Sequence, residues 1–101
     1  MSIKREIDLL LRNREKLMPD QGVQKEAESW DLVKYKISAQ RIATVYSFMK
    51  NKYEPTFTLM DMERITGIWC DGIAIALKAL EAHGYITISR SSRPHRYTVI
   101  K

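Results

Sequence analysis

The chain has 101 residues and a formal charge of +5, a length suited to one domain with one ordinary core. Its 45% apolar and 29% charged content is that of a soluble globular protein, and no apolar run exceeds five residues, too short for a membrane span. Cys70 is the only cysteine, which excludes an intrachain disulfide and a cysteine-based metal site.

The charge is unevenly divided. Residues 1–52 carry eleven Lys/Arg against seven Asp/Glu, residues 53–81 two against five, and residues 82–101 four against none. The two ends are therefore basic and the middle acidic, and a polyanion would be drawn to the ends. A mildly basic solvated surface is the plainer reading. Met1 leads into an amphipathic, charged stretch rather than a secretory apolar run, so a cytoplasmic location is expected, in a host cell if the protein is viral.

In chain order, Ser2 is suited to cap a first helix over about residues 3–17, with Ile3, Ile7, Leu10, Leu11 and Leu17 largely on one stripe. "MPDQG" at 18–22 breaks it, Pro19 forbidding continuation and Gly22 supplying a turn. A second helical pattern follows through Val23, Ala27, Trp30, Val33 and Ile37. Ser38 is a cap for a third helix to about Lys52, with Ile42, Val45, Tyr46 and Met49 inward. The spacing leaves open whether the chain breaks at Ser38 or one long helix runs through.

"YEPTFT" at 53–58 ends that helix, since Pro55 disfavours helix before it, and its "TFT" at 56–58 is expected to form one short strand. Thr58 then faces Asp61 as in a capping box and starts a short helix over about 59–65. Gly67 fits a left-handed turn, and Ile68 plugs the corner. The next helix is expected from Cys70 or Asp71 to His83, stopped by Gly84. "YITIS" and "RYTVI" alternate and read as two strands, joined by the arginine-bearing loop "RSSRPH". The fold class expected is thus mainly α with a small β-hairpin, an α+β chain.

The stretch "TLMDMERITGIWCDGIAIALKALEAHGYI" followed by "TISRSSRPHRYTVI" resembles the winged helix-turn-helix regulators of bacteria, archaea and their viruses. The likeness covers about residues 38–100 and is firmest at Thr58-Leu59, Thr66-Gly67-Ile68 and "ALKALEAHGYI". It implies a winged helix-turn-helix domain over 38–101, preceded by a helical extension over 1–37. It also implies that the helix after Gly67 enters the DNA major groove through Trp69, Cys70, Asp71, Gly72, Ala74, Ile75 and Lys78. With Ile73, Ala76, Leu77 and Leu80 as the packing face, Asp71, Ile75, Lys78, Ala79 and Ala82 are expected to point outward. Lys78 is then the one long donor, a poor endowment for reading base edges.

The loop between the strands makes the opposite case. Arg90, Arg93, His95 and Arg96, with Ser89, Ser91 and Ser92, form a donor-rich wing with no acid nearby in sequence, suited to phosphates or a narrow minor groove. A solvated hairpin protected from edge aggregation is its bland alternative. Double-stranded DNA is the expected partner, and the expected role is transcription regulation. The rival is a winged-helix protein-interaction module, such as a virus-encoded inhibitor or an adaptor to polymerase or replication machinery, with Trp69, Asp71 and Ile75 as its contact surface. Trp69 itself is expected to cap the core at the turn, the alternative being an exposed anchor.

No enzyme chemistry is expected. Cys70 lacks a neighbouring base in sequence, and His83 suits a helix C-terminus. His83 and His95 alone make a poor zinc set, so neither metal nor cofactor is expected. The stripe of Ile3, Ile7, Leu10 and Leu17 is a candidate dimerisation seam, as two-fold DNA sites would favour.

Overall fold

The computed structural model describes residues 17–91, 93 and 95–101. Asp20 caps the first described helix, α1 (Gln21–Ala27), its Oδ1 accepting the Val23 N–H at 3.0 Å. Gly22 is therefore helical, and the turn expected from it does not form. Val23 and Ala27 turn inward, but the helix stops at Glu28 although the apolar spacing continues to Ile37. The Ser29 hydroxyl donates to the Glu26 carbonyl at 2.6 Å, and the backbone breaks into irregular turns with Lys36 at φ 55°. Val33, expected on the inner stripe, is 86% exposed, whereas Ile37 is buried.

Ser38 is a true break. Its hydroxyl accepts the Arg41 N–H and starts α2 (Ala39–Asn51), which buries Ile42, Ala43, Val45, Tyr46, Phe48 and Met49. The α2 helix is the spine of the molecule, packing against every other described helix and the second strand of the hairpin. Leu17, Val23, Ala27 and Ile37 join the same core, so the described part of 1–37 is built into the body.

The strand expected at 56–58 is absent. Pro55 sits in a turn closed by the Phe57 N–H on the Glu54 carbonyl at 2.9 Å, and the Thr58 N–H goes to the Asp61 carboxylate. Two amides of that triplet thus have local acceptors and are lost to a ladder. The Thr58–Asp61 capping box is complete and opens α3 (Leu59–Thr66). Gly67 ends it in the left-handed region at φ 74°. The next helix, α4 (Cys70–Ala82), starts without a side-chain cap from Trp69. Glu63 of α3 supplies one across the turn, its Oε1 accepting the Cys70 N–H at 3.3 Å.

At the far end of α4, the Gly84 N–H goes to the Glu81 carbonyl and the Tyr85 N–H to the Leu80 carbonyl, with Gly84 at φ 79°. This paired closure needs a positive φ, the role expected of Gly84. Two antiparallel strands follow, β1 (Ile86–Ser89) and β2 (Arg96–Val99), in register Ile86↔Val99 to Ser89↔Arg96. Among the described residues the architecture is α+β: four helices and one two-stranded hairpin. The hairpin is held to the helices by the Tyr97 N–H on the Tyr53 hydroxyl and by the Tyr46 hydroxyl, which donates to the Lys101 carbonyl. No described helix is long and apolar enough to cross a membrane.

Candidate functional site

Ile73, Ala76, Leu77 and Leu80 fix the orientation of α4 by facing the core. On the remaining surface Asp71, Lys78 and Ala82 are exposed, as the helical spacing requires. Two residues depart from it. Ala79 is fully buried and Ile75 is half-buried against the core, so neither stands free on an outward face. Ala79 lies one turn before His83, where the Trp30 ring stacks at 3.7 Å and within 5° of parallel. The segment after α1 thus covers the C-terminal end of α4. The Nδ1 of His83 lies 2.8 Å from the Ala79 carbonyl, placing this histidine at the helix end as expected.

Trp69 does not cap the core. It is 78% exposed at the mouth of α4, because Ile68 takes the inward corner position instead. Gly72 makes room there, since a Cβ at that position would lie 3.1 Å from the Ile68 Cγ2. Cys70 is half-exposed beside the same turn. Partial burial, then the carboxylates of Glu63 and Asp71, push its thiol up and hold it protonated, which makes it a poor nucleophile. Among the described residues no three metal-ligating side chains converge.

The hairpin loop holds the main correction. Arg90, expected to be free of acids, forms a two-pronged ion pair with Glu81 of α4, at 2.9 and 3.0 Å. The Arg90 hydrogen bond and charge hold the Glu81 carboxyl below its ordinary range, and Glu81 raises Arg90 in turn. The pair clamps the first strand's exit to the helix. Lys101 is also engaged, its Nζ lying 4.8 Å above the Tyr85 ring. Arg93 and Arg96 are exposed and make no ion pair among the described residues. The Ser89 and Ser91 hydroxyls lie 3.2 Å apart, while Ser92 lies outside the described residues.

Lys78 of α4, together with Arg90 and His95 of the hairpin, lines a cleft of ≈ 210 Å³ floored by Leu77 and Ile88. Three residues distant in sequence are thus brought to one surface, while Trp69 and Asp71 sit at the opposite end of α4. Leu17, expected on a dimerisation stripe, is buried in the chain's own core. Ile3, Ile7 and Leu10 lie outside the described residues. No family model, curated protein or solved structure matches the chain.

Proposed function

We propose that the chain is a winged helix-turn-helix protein that binds double-stranded DNA and serves as a small transcription regulator. In this reading α3, Gly67 and α4 are the helix-turn-helix, and the hairpin is the wing. The observation that carries it is the shared cleft, which Lys78 of α4 and His95 of the wing both line. Arg93 and Arg96 flank His95 in the chain and have no acidic partner among the described residues. Phosphate contacts from these cations supply affinity, and Lys78 adds little base discrimination because one lysine cannot make the paired contacts that tell bases apart.

The test is anisotropy of a labelled random duplex across a salt series. Affinity falls as salt rises, and Arg93→Ala and Arg96→Ala each lower the log–log slope by about 0.9 where a phosphate contact is lost. Arg90→Ala lowers it less, since its charge is already matched by Glu81. Lys78→Ala weakens binding to all duplexes alike. Absence of duplex binding at low salt sinks the reading.

One observation favours a second reading, a protein-interaction module: Trp69 stands 78% exposed beside exposed Asp71. A rigid aromatic in that position is the kind of side chain that anchors an interface. Under this reading Trp69→Ala leaves duplex affinity unchanged while the partner is lost. Ile75 is unsuited to the same test, because its side chain also packs on the core.

A further inference from the structure

A larger cleft, of ≈ 420 Å³, opens between the start of α3 and the hairpin. Phe57, Leu59, Met62 and Tyr97 give it apolar walls, and Met60 forms a lip that is 60% exposed. Arg93 and His95 line it from the wing, and among the described residues no carboxylate lines it. The acid closest in sequence, Asp61, already accepts the Thr58 N–H at 2.9 Å. Sites for small organic molecules have this size and make-up, about 300–1,000 Å³ with apolar walls and a few polar groups that fix orientation. Two methionines add walls that adapt to the shape of a ligand.

We propose that this cleft binds a small amphiphilic anion, with its apolar body against Phe57, Leu59, Met60 and Met62 and its acid group on Arg93 and His95. A medium-chain carboxylate is the simplest such molecule. A neutral apolar ligand would leave the Arg93 guanidinium unmatched, and a nucleic-acid strand would set its phosphates against a mostly apolar surface. Leu59, His95 and Tyr97 also line the cleft beside Lys78, so the two spaces adjoin and a longer chain has room to continue. The proposal stands apart from DNA binding and does not need it.

The chain carries its own reporters, since Met60 and Met62 line the cleft while Met18 and Met49 do not. In the full chain with ¹³C-labelled methionine methyls, octanoate is titrated and compared with octanol. The Met60 and Met62 methyls shift saturably with octanoate while Met18 and Met49 stay still. Octanol binds at least about fivefold more weakly, because it lacks the charge that the exposed Arg93 recognises and that His95 can hydrogen-bond. The double variant Arg93→Ala/His95→Ala loses about the same factor for octanoate and none for octanol. Met60→Glu, which sets an acid at the lip, also weakens octanoate more than octanol. An unshifted Met49 methyl in each variant shows that its core is intact. Equal affinity for acid and alcohol overturns the proposal, as does octanoate binding that survives the double variant. Shifts of Met60 and Met62 with hexathymidylate but not with octanoate overturn it too.

Discussion

Gly84 holds φ 79° so that two amides can close the end of α4, and a Cβ built there meets nothing within 4 Å. The cost of Gly84→Ala is therefore backbone strain alone, roughly 1–2 kcal/mol for an L-residue in the left-handed region. Thermal unfolding should show it as a fall in Tm of about 4–8 °C per kcal/mol for a domain of this size. An unchanged Tm would mean that the turn relaxes to another conformation. Glu81 gives a second measurable residue. Its folded pKa is depressed by Arg90, so its stabilising contribution is present above the ordinary carboxylate value and is lost as pH falls through the depressed one. Both side chains are partly solvated, which keeps the contribution small. Wild type should thus unfold at a slightly higher temperature than Glu81→Gln at pH 7, and the gap should close in acid. A gap that persists to the lowest pH would show that the pair acts through packing rather than charge.

At the level of elements, signals that act within four residues were legible in the sequence. The Thr58–Asp61 box and the left-handed glycines 67 and 84 occupy the expected places, and the cap at Ser38 settles a break that the spacing left open, because each depends on a local backbone geometry. The same locality explains the failures. The apolar spacing from Val23 to Ile37 continues to look helical, but Ser29 diverts a carbonyl and the chain turns, stranding Val33 in solvent. "TFT" has strand-like residues, yet its amides are taken by a proline turn and a capping acid. Helical spacing puts Ile73, Ala76, Leu77 and Leu80 on the core face of α4, where they are, but points Ala79 outward, and a single helix gives no reason to bury it. Its burial comes from the packing of α4 against the rest of the core, which includes α2. The site suffered in the same way. Arg90 and Glu81 stand nine residues apart, and nothing short of the hairpin's position could show that the first arginine of its loop is paired. The exposed Trp69 was equally hidden, since two apolar residues compete for one corner and Ile68 occupies it.

Across the whole molecule, three-dimensional structure narrows the charge argument. Of the four cations in residues 82–101, Arg90 and Lys101 are engaged within the chain, which leaves Arg93 and Arg96 for a partner. If the chain binds DNA as proposed, two exposed arginines and Lys78 would give one copy only a weak hold on a duplex, because each contact is screened and interchangeable with counterions. Pairing of two chains would restore affinity by making the second wing's contact intramolecular. The sequence offers a seam for it in Ile3, Ile7 and Leu10, and the burial of Leu17 removes one member from that stripe. We therefore expect the full chain to sediment as a dimer, and Ile7→Asp/Leu10→Asp to sediment as a monomer with the same core. Tm should barely change in the variant if those side chains serve only the second copy, and duplex affinity should fall at every salt concentration. The log–log slope should fall with it, since half the phosphate contacts are gone. A full chain that stays monomeric at high concentration ends the idea, and duplex affinity would then have to come from one wing alone.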